Sequence, residues 1–373
     1  VHDILKTGFD RSPMFAGRID GVGPRYCPSI EDKINRFAER ERHQLFVEPE
    51  GWSTVEIYVN GFSTSLPEEV QYEALRSVPG FENVKMFRPG YAIEYDYFPP
   101  TQLDYSLETK LIGNLFFAGQ INGTTGYEEA ACQGLIAGIN AHQKTKEDAP
   151  LILKRSDAYI GVLIDDLISK GTQEPYRMFT SRAEFRTLLR QDNADLRLTD
   201  LSYKMGLASQ QRMDNVTAKK KDVTAIKNIL KDLSIEPAEI NHWFTELNSS
   251  PINEKQKAQK ILLRPDVELK DFAEAVPKLK IALAPFSNET IEQASIQIKY
   301  DVYIEREKEL VQRMSHLEEL EIPEKFDYKK ISSLGNEARE KLTRIKPRTL
   351  GQASRISGIN PSDVQILMVY MGR

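Results

Sequence analysis

A single cysteine stands just ahead of a predicted helix near the start of the chain. Cys27 follows the run Gly-Val-Gly-Pro-Arg-Tyr, and apolar residues at helical spacing begin at Ile30. The positive end of a helix lowers the pKa of a nearby thiol, and Arg25 and Lys33 add positive charge. This setting suits a nucleophile, or a thiol that donates a proton to a carbanion. A small buried residue before a helix is the alternative, since the sequence supplies no catalytic histidine partner.

A glycine-spaced loop is the second place where the residue types could support chemistry. The apolar run 114–119 predicts a buried strand, and the small residues of 126–138 predict a helix. Such a turn directs backbone N–H groups and the positive end of the helix at a ligand above the sheet edge. Gln120 could hydrogen-bond a polyol or a ring heteroatom. The second glycine turn of FAD domains has this layout, although a tight crossover in any α/β sheet would share it.

The start of the chain bears on this FAD interpretation. The 373 residues contain no G-x-G-x-x-G pattern, and the sequence begins at Val1 without an initiator methionine. We therefore expect a C-terminal fragment, with the pyrophosphate loop of the FAD site lying ahead of Val1.

Arginines recur every fourth residue in the second half of the chain. Arg182, Arg186 and Arg190 would form one row on a helix, about 6 Å apart, suited to following RNA phosphates. Three carboxylates could instead pair with these arginines in a structural network: Glu184, Asp192 and Asp195.

A second basic stretch lies between residues 204 and 231, where seven basic groups accompany two acidic ones. Its densest part is a run of three lysines: Lys219, Lys220 and Lys221. The stretch is either a solvated helix face or a second RNA-binding face.

The overall composition is that of an ordinary globular protein. Lys and Arg number 50 against 55 Asp and Glu, and 40% of the residues are hydrophobic, which excludes a disordered chain or a collagen-like fibre. Two cysteines are too few for a disulfide scaffold, so we expect a cytoplasmic protein in which Cys132 is a packing residue. No run of about 18 apolar residues predicts a membrane span. The five histidines form no metal-binding pattern.

The elements that must position these residues change in character along the chain. Residue spacing predicts a helix at 30–38, strands at 43–48 and 54–59, a helix from Leu66 and a β-rich stretch at 85–97. Beyond Pro150 the predicted elements are helices: 161–170, 209–233, 289–319, 336–345 and 362–371. The last helix is too apolar to be solvated all round, so we expect it to pack on its domain or on a partner.

Two long segments, GPRYCPSIEDK at 23–33 and AGQINGTTGYEEA at 118–130, are specific enough to carry a resemblance. They resemble the signature motifs of the MnmG (GidA) family, the FAD-dependent tRNA uridine 5-carboxymethylaminomethyl modification enzymes. Four further segments support the match: 88–96, 174–184, 192–199 and 351–358. The family's N-terminal dinucleotide fingerprint and its second functional cysteine have no counterpart in these residues.

The resemblance implies an FAD site, an NAD(H) site and a catalytic cysteine. Cys27 matches a family cysteine with a proposed role in adduct formation or proton donation. The implied FAD contacts are Gly119, Gln120, Asn122 and Gly126. The implied NAD-binding stretch consists of Gly23, Pro24, Arg25, Tyr26, Cys27, Pro28, Ser29, Ile30, Glu31, Asp32, Lys33, Ile34, Asn35, Arg36 and Phe37. Methylene-tetrahydrofolate and glycine or ammonium are the implied co-substrates, and no metal is expected.

The resemblance also implies partners and a domain plan. The family acts on the wobble uridine of tRNA as a homodimer, with an MnmE-type GTPase that we expect to bind helices within 349–371. The expected fold class is α/β plus α, with part of an insertion domain of NAD type at 1–88, the closing part of an FAD domain at 89–148 and a helical domain for tRNA and partner at 149–373.

Two other functions stay open from the sequence alone. A generic flavin-dependent oxidoreductase would be expected to carry a redox C-x-x-C, which the sequence lacks. An RNA- or protein-binding adaptor without its own flavin chemistry is the other alternative.

Overall fold

The computed structural model describes residues 1–13, 29–92, 96–172, 174–323 and 325–372. The chain divides into two compact units. Unit 1 comprises Val1–Leu151 and Asp166–Met178, and unit 2 comprises Ile152–Asp165 and Phe179–Arg373. Within the described ranges, no helix is both long enough and apolar enough to cross a membrane.

Unit 1 combines short helices with one two-stranded ribbon. Its helices are α1 (His2–Lys6), α2 (Ile30–Arg36), α3 (Glu68–Arg76) and α4 (Tyr127–Thr145). Strands β1 (Phe46–Pro49) and β2 (Ile57–Asn60) pair antiparallel, with Phe46 opposite Asn60. Helix α5 (Tyr159–Lys170) contributes residues 166–170 to unit 1 and residues 159–165 to unit 2.

Helix α2 begins where the sequence predicts. The Ser29 hydroxyl accepts a hydrogen bond from the backbone N–H of Asp32 at 3.2 Å, which satisfies one of the free donors of the first turn. Apolar side chains of α1, α2 and α3 then share a small core: Leu5, Ile30, Ile34, Leu66, Val70 and Ala74. The predicted helices at 30 and 66 are confirmed, and α2 ends slightly early at Arg36.

The β1–β2 ribbon is exposed over most of its length. Phe46 and Val47 of β1 are each more than half exposed, and Trp52 in the connecting turn is fully exposed. The predicted strands are confirmed, although each begins three residues later and ends one residue later than predicted.

Two predicted strands are wrong. The described residues of 85–97 form no strand, because side chains of α3 satisfy the backbone there: Gln71 bonds both the N–H and the C=O of Gly90, at 2.7 and 2.9 Å. The run 114–119 makes a single bridge, Glu108 to Phe116, and begins at Asn114 with a φ of 66°. It is therefore a turn folded back on residues 103–109, and much of it is exposed.

Unit 2 is almost entirely helical in its described residues. After the shared α5, its helices are α6 (Ala194–Lys204), α7 (Gln210–Asp232), α8 (Pro237–Glu246), α9 (Ala258–Leu262), α10 (Leu269–Ala275), α11 (Pro277–Leu283), α12 (Asn288–Glu319), α13 (Asn336–Ile345), α14 (Leu350–Arg355) and α15 (Pro361–Tyr370). One short pair of strands, β3 (Ser234–Ile235) and β4 (Gln256–Lys257), interrupts them. The five predicted helices beyond Pro150 are confirmed.

The described residues of unit 2 include two separate cores. The larger lies among α7 to α12 and includes the buried Phe244 and Phe272, with Trp243 stacked on Phe272 at 6.0 Å between ring centroids. The smaller is formed by α13, α14, α15 and the segment that leads into α13, around Leu342 and Leu350. Val364 and Leu367 bury one side of α15 in this smaller core, whereas Val369 and Tyr370 stay exposed.

Candidate functional site

The glycine loop of unit 1 is organised by one fully buried amide side chain. Gln133, on α4, accepts hydrogen bonds from the backbone N–H of Gly119 at 3.2 Å and from Nδ2 of Asn122 at 2.8 Å. Its own Nε2 donates to the Thr124 hydroxyl at 2.9 Å, and that hydroxyl donates to the Gly119 carbonyl at 3.0 Å. We call Gly119, Asn122, Thr124 and Gln133 the amide web. Because every member is neutral, the web can be buried and fixes the loop without an ion pair.

Two glycines permit the path of this loop. Gly119 has φ 86° and Gly123 has φ 76°, conformations that residues with a Cβ rarely adopt. A Cβ on Gly123 would also lie 2.5 Å from Oγ1 of Thr172. The chain therefore requires glycine at Gly123 on two independent grounds.

The N-terminus of α4 offers acceptors and negative charge. Gly126 is the N-cap residue, and Glu128 and Glu129 occupy the first turn. Glu129 is buried: its Oε1 accepts from the backbone N–H of Met178 at 2.8 Å, while its Oε2 accepts no hydrogen bond from any residue that the structure describes. Oδ1 of Asn122 is likewise buried without a donor. These groups fit the N–H and O–H donors of a flavin ring or ribityl chain better than they fit a phosphate, which the two carboxylates would repel.

The segment after α5 closes over the same loop within unit 1. The backbone N–H of Tyr176 donates to the Gly123 carbonyl at 2.8 Å, and the Tyr176 hydroxyl donates to Asp166 at 2.9 Å. Arg177 lies 3.5 Å from Oε1 of Glu129 and is partly exposed. Its guanidinium thus stands at the start of α4. Sequence reasoning missed Glu129, Gln133 and this closing segment, although Glu129 and residues 174–178 lie within segments that carried the resemblance and Gln133 follows one of them by three residues.

The other expected FAD contacts lie in this loop. Gln120 is exposed at the start of a single 3-10 turn, so its side chain is accessible to a ligand. Asn122, in contrast, is buried and donates both to the Phe117 carbonyl and to Gln133, so that its Oδ1 alone lacks a partner among the described residues. The structure therefore gathers Gly119, Gln120, Asn122 and Gly126 in one loop, as a shared contact surface requires.

The expected NAD-binding stretch is described only in part. Residues 14–28, including Cys27 and the other predicted residues Gly23, Pro24, Arg25, Tyr26 and Pro28, lie outside the described residues. Of the remainder, Ile30 and Ile34 point into the small core rather than toward a ligand. Lys33 donates to the Gly61 carbonyl at 3.0 Å.

Glu31 is the one fully buried charge in the described part of this stretch. Its Oε1 accepts from the Thr64 hydroxyl and from the backbone N–H of Ser65, both at 2.9 Å. Glu31 therefore anchors the segment ahead of α3. The exposed members Asn35, Arg36 and Phe37 end the helix, and Arg36 lies 3.9 Å from Asp32.

Cys132 has the properties of a packing residue. Burial raises the pKa of its thiol, and the nearby charges of Glu129 and Glu128 raise that pKa further. A thiol with a raised pKa carries little thiolate at neutral pH, so Cys132 is a poor nucleophile.

The predicted helical row of arginines is wrong. Thr180–Arg182 is a 3-10 turn, and residues 183–190 follow a series of turns rather than a helix. The reason lies in the backbone: Glu307 accepts the N–H groups of Thr187 and Leu188, at 3.2 and 2.9 Å, which a helix would need for its own ladder. Arg186 is exposed, and Arg190 is bound to Asp192 at 3.0 Å.

The predicted lysines divide by their surroundings. Lys219 is largely buried between Asp195 and Glu289, at 2.9 and 2.6 Å. Burial by itself lowers the pKa of Lys219, but hydrogen bonds to these two carboxylates outweigh it and leave that pKa raised. Lys219 is therefore already engaged as a structural cation. Its neighbours stand on the exposed side of α7, where Lys220 pairs with Asp200.

A charged cluster in unit 2 centres on two buried residues, Arg155 and Asp165. Asp165 accepts from Nε and Nη2 of Arg355, both at 2.7 Å, and from Nη1 of Arg155 at 3.0 Å. Arg155 also donates to Glu184, at 2.8 Å, and to the Arg182 carbonyl at 3.0 Å. We call these residues, Arg155, Asp165, Glu184 and Arg355, the ion cluster. It joins α5 to α14 and pairs Glu184 with Arg155.

No group of three or more potential metal ligands occurs among the residues that the structure describes.

Comparisons with known proteins assign the class. A family model described as glucose inhibited division protein A matches residues 1–149. Models described as the tRNA modifying enzyme MnmG/GidA C-terminal helical domain and helical bundle match residues 210–308 and 310–373. The protein is thus a GidA-type domain followed by helical domains, and the predicted fold class is confirmed.

The same comparisons place the chain in a family. It is 64% identical over 373 residues to a tRNA uridine 5-carboxymethylaminomethyl modification enzyme MnmG of Cytophaga hutchinsonii, and 54% identical to that of Salinibacter ruber. Two crystal forms of Aquifex aeolicus GidA superpose with TM-scores of 0.82 and 0.81, at 47% and 44% identity. This chain belongs to the MnmG/GidA family.

The matches cover all of this chain but only part of its relatives. The chain spans 60% of the Cytophaga hutchinsonii enzyme and 56% of the Salinibacter ruber enzyme. It spans 58% and 57% of the two Aquifex aeolicus chains.

Proposed function

We propose that this chain is part of a flavoenzyme that adds a (carboxymethyl)aminomethyl group to C5 of the wobble uridine of tRNA. The observation that carries the proposal is the family relationship, which extends over the whole chain to relatives named for this modification. The geometry of the glycine loop supports it, since unpaired buried acceptors lie where the resemblance expects FAD.

The proposed cofactors and co-substrates are FAD, NADH and a methylene-tetrahydrofolate one-carbon unit. When bound, FAD would supply the redox chemistry of the reaction. The chain's own part is to hold the cofactor, with Gln120 and Oδ1 of Asn122 on one side of the loop and Gly126 at the start of α4. The amide web keeps these groups in place before any ligand arrives.

Cys27 is the proposed catalytic residue. C5 of uridine is a poor nucleophile until a thiolate adds at C6, because the new S–C6 bond transfers electron density to C5. Cys27 would make that bond, and the thiolate would leave C6 again once C5 has bonded to the one-carbon unit and lost its own proton to a base. As a thiol, Cys27 would instead donate a proton to a carbanion. Arg25 and Lys33 stand close to it in sequence and favour the thiolate by their charge.

The proposed partners are tRNA, a second copy of the chain and an MnmE-type GTPase in the cytoplasm. We assign tRNA binding to unit 2, with Arg182, Arg186, Lys220 and Lys221 as contributors. The GTPase would bind the C-terminal helices, because Val369 and Tyr370 expose apolar area at the end of α15.

The cysteine experiment tests the proposed activity in the full-length protein. We expect Cys27→Ser to abolish modification of an unmodified tRNA transcript, because a serine hydroxyl has far too high a pKa to act as the thiolate does. Mass spectrometry of digested nucleosides measures the product. Cys132→Ser is the matched control and should retain activity. Wild-type levels of product from the Cys27 variant would overturn the assignment.

The partner assignment has its own test. Replacing Val369 with Asp and Tyr370 with Ala should weaken binding to the GTPase, measured by calorimetry, while tRNA binding persists. Gln365→Ala, on an exposed site of the same helix, is the control. Equal partner affinity for both variants would refute the placement on α15.

A further inference from the structure

Arg186 stands on a turn whose two ends are anchored. Phe185 and Leu189 are both 3% exposed, and the exposed Arg186 lies between them. Across the described residues Arg186 forms no ion pair. Its guanidinium is therefore held outward by the backbone rather than by a charged neighbour.

That backbone is fixed by side chains from distant positions. Glu307, on α12, accepts the N–H of Thr187 with one carboxylate oxygen and the N–H of Leu188 with the other. The carbonyls of the same two residues accept from Arg190, at 2.6 Å, and from Asn193, at 3.0 Å. The backbone N–H and C=O groups of Thr187 and Leu188, the two residues after Arg186, are thus all bound.

We propose that Glu307 is a positioning residue for RNA binding, holding the turn 185–189 so that Arg186 faces a backbone phosphate. This inference rests on the proposed function, since it takes tRNA as the ligand of unit 2. A turn that is already ordered loses less conformational freedom when a phosphate binds. Glu307 itself would touch no RNA.

The sign of the effect separates this role from a passive one. A carboxylate near an RNA-binding arginine repels phosphate, so removing a bystander glutamate would leave tRNA affinity unchanged or raise it. Removing a positioning glutamate would lower the affinity, although the protein then carries one negative charge fewer. Charge and position therefore predict opposite outcomes.

The experiment measures binding of an unmodified tRNA transcript to the full-length protein across a range of salt concentrations. Loss of one phosphate contact by Arg186→Ala should weaken binding roughly five- to eightfold at about 0.1 M salt and lower the slope of log K against log salt by about 1. We expect Glu307→Ala to act in the same direction, by at least about twofold, and to lower the slope as well. The double variant should bind as Arg186→Ala alone, because the two residues serve one contact.

Two further variants guard against a trivial result. Glu305→Ala removes an exposed carboxylate two positions earlier on α12, which pairs with Lys308, and should leave binding unchanged or tighter. Glu307→Gln keeps one acceptor, so its tRNA affinity should lie between those of the wild type and Glu307→Ala. It replaces the alanine variant if a thermal melt shows that Glu307→Ala does not fold.

Three outcomes would overturn the proposal. These are binding by folded Glu307 variants that equals or exceeds wild type, additive losses in the double variant, and an Arg186→Ala variant with wild-type affinity. The last would remove Arg186 from the RNA contact, while nucleoside analysis would still decide the modification activity independently.

Discussion

The amide web and the ion cluster both hold a backbone segment against a helix, the first with neutral groups and the second with charged ones. Each fixes a turn or a short segment against a helix from within a buried site. The web uses neutral groups within fifteen residues of sequence, whereas the Asp165–Arg355 bond spans 190 residues. A neutral amide costs little to bury once it is bonded, but a buried charge depends on its partners being complete. The ion cluster is therefore the more vulnerable of the two.

The largest loss of stability is expected on substitution of Asp165. We expect Asp165→Asn to lower the free energy of unfolding of unit 2 by about 3–5 kcal/mol, because Arg355 and the 7% exposed Arg155 lose their shared counter-charge. Urea unfolding followed by circular dichroism measures the loss, and hydrogen exchange localises it to α14. Asp301→Asn is the control, since Asp301 is exposed and lies 3.8 Å from Lys227. Equal stability of the two variants would show that the cluster contributes no net charge stabilisation.

A smaller effect is expected in the amide web. Gln133→Leu keeps a side chain of similar size but removes the acceptor for the N–H of Gly119 and for Nδ2 of Asn122. We expect the free energy of unfolding to fall by about 1–3 kcal/mol. Faster hydrogen exchange at residues 119–124 should accompany the loss. Gln143→Leu, farther along α4, is the matched control because its side chain has no hydrogen bond in the described structure. A loss of stability in Gln133→Leu as large as that in Asp165→Asn would contradict the expected difference between neutral and charged networks.

Alanine substitutions at two glycines, Gly126 at the N-cap of α4 and Gly134 within the helix, should have opposite effects on stability. A Cβ on Gly126 would lie 1.8 Å from Oε2 of Glu129, so Gly126→Ala should displace that carboxylate and cost about 1 kcal/mol by weakening its bond to Met178. Gly134 has open space around it, and Gly134→Ala should stabilise α4 by about 1 kcal/mol. Thermal melts of both variants test the pair. Shifts of the same sign would remove the special role of Gly126.

The smallest expected effect is on the stability of unit 2 at low pH. Burial alone raises the pKa of Asp192, but hydrogen bonds from Arg190 and Gln293 outweigh it and leave that pKa lowered. Its stabilising contribution is therefore present above the ordinary aspartate pKa and is lost as the pH falls through the lowered value. Asp192→Asn should reduce the acid sensitivity of unit 2 by about 1 kcal/mol or less. The amide web contains no titratable group, so Gln133→Leu should leave the acid profile unchanged. Unfolding measured from pH 5 to 2 compares them.

The sequence predicts the helices well because periodic apolar residues and local caps determine them. Ser29 and the predicted helices beyond Pro150 are examples, since each start or face depends on residues only a few positions apart. The strand at 114–119 and the arginine helix fail for another reason. In both segments a carboxylate accepts a backbone N–H. Glu108 binds the N–H of Asn114 from six residues away, and Glu307 binds the N–H of Thr187 from 120 residues away.

The candidate site shows the same division. Four residues lie within one span of eight, and the resemblance locates them together: Gly119, Gln120, Asn122 and Gly126. Glu129 and Gln133 act through hydrogen bonds to a loop and to a returning segment, which no spacing rule reveals. The lysine run is misleading for a similar reason. Glu289 binds Lys219 directly although the two residues are 70 positions apart in sequence.

The two tryptophans of the chain lie one in each unit and in opposite surroundings. Trp52, at the tip of the ribbon, is fully hydrated, so it should fluoresce at long wavelength and be quenched readily by acrylamide. Trp243 is only 9% exposed and stacks on Phe272, so its emission should be blue-shifted and protected from the quencher. Phenylalanine replacement of either indole would leave a single optical reporter, and the melting of each unit could be followed separately in the same solution.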